Sequence, residues 1–240
     1  ALLQWFYFAA MDRLPVGIAL LIEFTGPLIV ALWARVVQRQ AVARSVWLSL
    51  GLALVGLAMV AEVWSDAGLD GIGVAAALAA ACCLATFYLL GQHSLAHHDA
   101  VGLTAWMFVF ASLFWAVVQP WWNFDPSILF EQTSLLGELS STSVPVWTAL
   151  AWVVVLGTLV PYLCNLAALR HLPATASSVV GMLEPVLAAA VAWWWLGEVL
   201  SPVQLVGGAL VLAGVTLVQL ARTRAPGAEP VVGVVDAPLA

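Results

Sequence analysis

Residues 14–27 read LPVGIALLIEFTGP, and residues 172–185, 158 positions later, read LPATASSVVGMLEP. Each copy runs Leu-Pro, ten residues, then a dipeptide ending in proline. Both lie in apolar runs long enough to cross a bilayer, which takes roughly 20 residues. Around them the chain is 64% hydrophobic and only 8% charged, with no lysine. A soluble core of this length needs far more polar surface. The pattern therefore points to an all-α membrane protein built by duplication.

Working outward, we read spans at 14–34, 46–62, 72–92, 101–122, 146–169, 173–197 and 203–221, with a short one at 1–11. That last run covers about 16 Å of helix against a core of roughly 30 Å, as if the sequence opened partway along a span. The arginines orient the rest. Arg35, Arg39 and Arg44, Arg170, and Arg222 with Arg224 fall in alternate loops, and the opposite loops carry only Arg13 beside most of the acids. Cationic loops stay in the cytoplasm, so both visible ends are expected there. The net charge of −6 argues against nucleic acid as a partner. Cys82, Cys83 and Cys164 fall inside spans, match no zinc or disulfide spacing, and read as small packing residues. Residues 222–240, rich in Pro, Gly and Ala, are expected to form a disordered cytoplasmic tail.

At the same offset Ala9-Ala10 meets Ala167-Ala168 and Gly56 meets Gly214. The copies are displaced by an odd number of spans, so the second enters the membrane upside down. Inverted repeats with helices broken near the midplane are the mark of secondary transporters. Residues 1–62 form the C-terminal part of one repeat and residues 72–221 the other. Spans at 72–92 and 101–122 lack partners ahead of residue 1. Inverted five-helix repeats, with about eight transmembrane helices present of an expected ten, are therefore the expected layout, two helices of the first repeat lying upstream.

Gly157-Thr158-Leu159-Val160-Pro161-Tyr162, Ala168-Leu169-Arg170-His171-Leu172-Pro173-Ala174, Met182-Leu183-Glu184-Pro185-Val186-Leu187-Ala188-Ala189, Leu196-Gly197-Glu198 and Gly207-Gly208-Ala209-Leu210-Val211-Leu212-Ala213-Gly214 together resemble the EamA-type branch of the drug/metabolite transporter superfamily. The resemblance extends more weakly over almost the whole chain, to about residue 221. It implies ten helices in two inverted halves and export or exchange of small metabolites, commonly amino acids, across the bacterial inner membrane. The chain departs from the family pattern in lacking the first two helices and in reading Gly26-Pro27 where the second copy has Glu184-Pro185.

Glu23 and Glu184 are the acids well inside spans. A carboxylate in hydrocarbon is costly and marks an ion or substrate pathway. With no cation at that depth, desolvation favours its protonated form, which suits proton exchange. The plainer alternative is a neutral acid bonded to a neighbouring helix. Pro27 and Pro185 lack an N–H and free the carbonyls of Glu23 and Gly181, which are repeat equivalents. Such carbonyls are tolerated at midplane only against protein or a wet cavity, so both helices are expected to flank the substrate path. Ser177 or Ser178 could instead satisfy an ordinary kink. Tyr7, Tyr88, Tyr162 and Asn165 are further polar candidates for that path, Tyr7 and Asn165 being repeat counterparts, although such residues also join helices. Gln4 and Thr86 share their depth, and Trp5, Trp106 and Trp152 sit deep enough to line a cavity or fill the core. Other tryptophans near span ends, such as Trp33 and Trp193 to Trp195, read as interfacial anchors.

The cluster His93, His97, His98 and Asp99 reads as a solvated loop, and stretch 123–145 as a short amphipathic helix on the outer interface. The expected function is a secondary active transporter exporting amino-acid-like metabolites or drugs, by proton exchange, with an uncoupled facilitator or channel as the alternative. An intramembrane enzyme is the more distant rival, since no serine–histidine or glutamate–histidine pair falls within the spans. No cofactor and no metal are called for. The expected partners are a small-molecule substrate and the lipid bilayer, and a homodimer stays open.

Overall fold

In hydrocarbon every backbone N–H and C=O needs an internal partner, so apolar runs fold as helices. The computed structural model describes residues 1–64, 70–119, 122, 124–197 and 199–223 (without side chains from 221 on). Expectations on Asp66, Trp121, Glu198, Arg224 and the tail from residue 224 lie outside the described residues. Helices run α1 (Leu2–Met11), α2 (Val16–Glu23), α3 (Gly26–Val36), α4 (Arg44–Val60), α5 (Gly71–Ser94) and α6 (Ala100–Val118). They continue with α7 (Val146–Val154), α8 (Val160–Leu169), α9 (Ala174–Gly181), α10 (Glu184–Val191) and α11 (Pro202–Thr223).

Among the described residues six continuous segments are long and apolar enough to cross a membrane: Val16–Val36, Gly71–Ser94, Ala100–Val118, Val146–Leu169, Ala174–Leu196 and Pro202–Leu220. Leu2–Met11 and Arg44–Val60 are apolar but shorter. The spans read from sequence fall within a few residues of these helices. Starts also recur at the repeat offset: α1, α2, α3 and α4 begin 158 positions before α8, α9, α10 and α11.

Proline sets the interruptions. Pro15 and Pro173 precede α2 and α9 with extended ψ of 136° and 151°, which stops the helix before each. Pro27 and Pro185 sit in the first turns of α3 and α10. Between α7 and α8 the helix widens into a π turn at Val155–Leu159, just ahead of Pro161, which cannot donate to its i−4 carbonyl. A second π turn, Ala192–Leu196, extends α10 and ends on Gly197 in the left-handed region.

α4 and α11 make the most extensive helix pair. A β-carbon at Gly56 would lie 2.5 Å from the Gly207 carbonyl oxygen, and one at Gly214 would lie 2.7 Å from that of Ser49. The two backbones therefore touch, which bilayer packing favours. Phe24, Ala31, Leu50, Leu57, Val179, Met182 and Val211 form the core between this pair and the broken helices. A second cluster joins Val30, Ala85, Tyr88, Leu166 and Leu169, and a third joins Ala10, Leu14, Ile18, Ala19 and Ala77. α6 and α7 are peripheral, exposing Trp106, Phe110, Leu113 and Trp152 on faces suited to lipid.

Two readings of the sequence are corrected. The stretch expected as an amphipathic helix holds a 3₁₀ turn at Pro126–Phe130 and a hairpin of β1 (Gln132–Ser134) and β2 (Ser143–Pro145), with Thr133 opposite Val144. The Asp125 carboxylate accepts from Ser127 N at 2.9 Å, and positive φ at Leu136 and Gly137 breaks any helical run. The hairpin docks on the end of the second π turn, where Trp195 Nε1 donates to the Leu135 carbonyl at 3.3 Å. Cys82 and Cys164, expected to pack between helices, are exposed on helix surfaces.

Candidate functional site

Both broken helices interrupt at equivalent places. α2 gives way to α3 at Phe24-Thr25, and α9 to α10 at Met182-Leu183. Pro27 is fully buried and Pro185 half-buried, and α3 packs on α9. Neither proline can donate to the carbonyl four residues back, that of Glu23 or Gly181. The hydroxyls nearby serve other acceptors. Thr25 Oγ1 donates to the Ile22 carbonyl at 2.7 Å, and Ser178 Oγ to that of Thr175 at 3.1 Å. Ser178 is thus directed away from the freed Gly181 carbonyl.

The titratable candidates gather around these breaks. Glu23, half-buried at the end of α2, and Glu184, exposed at the start of α10, lie within electrostatic reach of each other. Tyr7 from α1 and Tyr162 from α8 lie in the electrostatic field of both carboxylates, and Tyr88 from α5 in that of Glu184. Among the described residues no cationic side chain contributes to the field at either carboxylate. Asn165, one turn after Tyr162, donates from Nδ2 to Tyr88 Oη at 3.5 Å. Its Oδ1 is buried without a hydrogen-bond partner. Gly181 lies against the Tyr88 hydroxyl, where a β-carbon would come within 2.6 Å of it.

Aromatic packing holds Tyr162. Phe87 and Phe108 meet its ring nearly perpendicular, at centroid distances of 5.7 and 5.8 Å. From Glu184 onward the same face of α10 lines an open apolar groove of about 470 Å³, formed by Leu187, Ala188, Val191, Ala192, Trp195 and Leu196. At the other end of α9, Gln92 Oε1 accepts from Ala174 N at 3.0 Å beside a cavity of about 10 Å³.

All nine residues singled out from the sequence, Glu184, Glu23, Pro185, Pro27, Gly181, Tyr162, Asn165, Tyr7 and Tyr88, thus lie on or around the two breaks. The looser candidates do not join them. Gln4 and Thr86 are exposed, and Trp5, Trp106 and Trp152 lie 45%, 62% and 68% exposed. Sequence reasoning missed Phe87, Phe108 and Gln92. Phenylalanines are ordinary in an apolar span, and Gln92 lies near a span end where a polar residue draws no notice. Arg170 adds to the field at Asp99 across the loops, and the His93 and His97 rings lie 6.2 Å apart.

The EamA-like transporter family matches residues 71–220 of this chain. The threonine/homoserine exporter RhtA of Escherichia coli K12 is 32% identical over 213 residues, 88% of this chain and 65% of that protein. RhtA of Salmonella typhimurium LT2 is 30% identical over 235 residues, 98% of this chain and 71% of that protein. An uncharacterized transporter of Archaeoglobus fulgidus is 23% identical over 214 residues, 88% of this chain and 70% of that protein. One crystal structure, at 16% identity, superposes with a TM-score of 0.74 over 93% of this chain and 74% of that one, which shows a shared fold. The chain spans just under two thirds of the length of the Escherichia coli relative. By its fold, its apolar spans and the match across more than half of its residues, the chain belongs to the EamA-like transporter family.

Proposed function

We propose that this chain is a secondary transporter exporting small amino-acid-like metabolites across the bacterial inner membrane, with protons exchanged at Glu184 and Glu23. The observation that carries the reading is the placing of two carboxylates at equivalent helix breaks, within electrostatic range of each other, with Tyr7 and Tyr162 in the field of both and Tyr88 in that of Glu184. A carboxyl group at this depth crosses between faces most readily as the neutral acid, because hydrocarbon penalises its charged form. Taking up a proton on one side and releasing it on the other links substrate movement to the gradient. The recurrence of helix starts at the repeat offset supports two inverted halves rocking about the site. Threonine and homoserine, exported by the curated relatives, are the first substrates to try. Both visible ends face the cytoplasm in this reading, as the arginine bias suggests.

The test is threonine flux in proteoliposomes of the full-length protein, with and without an imposed pH gradient. Wild type should accumulate threonine against its gradient only when protons can flow the other way, and Glu184→Gln should abolish the gradient's effect. Equal wild-type flux with and without the gradient would mark an uncoupled facilitator. Gradient-driven accumulation by Glu184→Gln would remove Glu184 from the mechanism.

A further inference from the structure

Tyr88, Asn165 and Gly181 come from α5, α8 and α9 and meet at one point. Tyr88 is 4% exposed, and its hydroxyl fits only because position 181 has no side chain. That hydroxyl receives Asn165 Nδ2 at 3.5 Å, so the far edge of the amide is turned away from Tyr88. The edge carries Oδ1, buried and without a hydrogen-bond partner. An amide oxygen has two lone pairs, and buried polar atoms are nearly always paired. One left open among the residues proposed to line the transport path is an acceptor that a ligand can use.

Its surroundings say what would fill it. Tyr88 lies in the field of Glu184, and Tyr162, one turn before Asn165, lies in the fields of both Glu184 and Glu23. Among the described residues no cation offsets those carboxylates. A ligand that supplies both positive charge and N–H donors complements the acceptor and the carboxylates together, and a protonated amine does so.

We infer that Asn165 determines specificity by accepting, at Oδ1, a hydrogen bond from the substrate's ammonium group, and that Tyr88 is the positioning residue that holds the amide. The inference rests on the proposed transport function and deepens it. Recognition then depends on N–H donors as well as on charge. A quaternary ammonium keeps the charge and lacks the donor, so it separates the two contributions.

The experiment uses the full-length protein in proteoliposomes, with threonine and N,N,N-trimethylthreonine as probes. Competition for threonine flux gives the preference, and ligand protection against heating gives binding. Wild type should prefer threonine by about 10- to 100-fold, the usual worth of a hydrogen bond to a charged group. Asn165→Leu should erase most of that preference, chiefly by raising KM for threonine. Asn165→Asp, which keeps an acceptor, should preserve it, and Tyr88→Phe should weaken it. A purely structural role would instead lower flux of both probes together and leave their ratio unchanged. Threonine transport with undiminished discrimination in Asn165→Leu overturns the inference and leaves the transport reading standing. Failure of wild type to carry or bind either probe overturns both.

Discussion

Asp70 shows how one side chain at a helix start can be read in energetic terms. Its Oδ1 accepts from Gly73 N at 2.8 Å, capping α5, and also lies 3.9 Å from Arg13 Nη1. The pair is about half exposed on each side, a setting in which ion pairs contribute little. The cap is worth about 1 kcal/mol. Asp70→Asn should therefore unfold within about 0.5 kcal/mol of wild type, and Asp70→Ala about 1 kcal/mol sooner, in reversible denaturant titrations. Equal losses would make the ion pair the stronger partner. Asp99 caps α6 in the same way, and chiefly the Gly102 N–H, at 2.8 Å, holds its carboxyl below the ordinary value of 3.8. With the folded value below the unfolded one, this contribution is complete above the unfolded value and disappears as pH falls through the folded one. At this scale the sequence was informative about Glu23 and Glu184, because an acid inside an apolar span stands out against its background. It said nothing about which edge of Asn165 would go unpaired.

Helices here are decided by two local rules, backbone satisfaction in hydrocarbon and the missing N–H of proline. That is why α2, α3, α9 and α10 start where the prolines put them. Packing between elements is less legible. Gly56 and Gly214 were visible as repeat partners, but only the folded chain brings Gly56 against the Gly207 carbonyl and Gly214 against that of Ser49. A side chain at Gly56 meets backbone, which cannot turn aside. Gly56→Val should lower stability by about 3 kcal/mol, whereas Gly51→Ala, with nothing within 4 Å of the new carbon, should be nearly neutral. Unfolding midpoints of the two variants check this, and a harmless Gly56→Val would contradict the close approach of α4 and α11. The hairpin escaped sequence reading because its strands are three residues each and its turn depends on positive φ at Leu136 and Gly137. Apolar residues at irregular spacing imitate an amphipathic helix.

For the whole molecule, orientation is the quantity that loop charge addresses. Arg35, Arg39 and Arg44 share one side in the sequence reading, opposite the loop that carries the hairpin. In a variant with Cys82, Cys83 and Cys164 replaced by alanine, Arg39→Cys should react with an impermeant maleimide only from the cytoplasmic side. Ser134→Cys should react only from outside. Reversed labelling would invert the chain and, with it, the direction assigned to export.

The spans, the breaks in them and the candidate carboxylates followed from the sequence alone, because hydrophobic length, proline chemistry and the cost of a buried charge act locally along the chain. The meeting of Tyr88 with Asn165, 77 positions away, and the seating of Trp195 on a hairpin 60 positions earlier were decided only by the tertiary structure. Such contacts depend on how each helix is rotated and tilted against its neighbours. Interhelical packing fixes those angles, and no local rule encodes them.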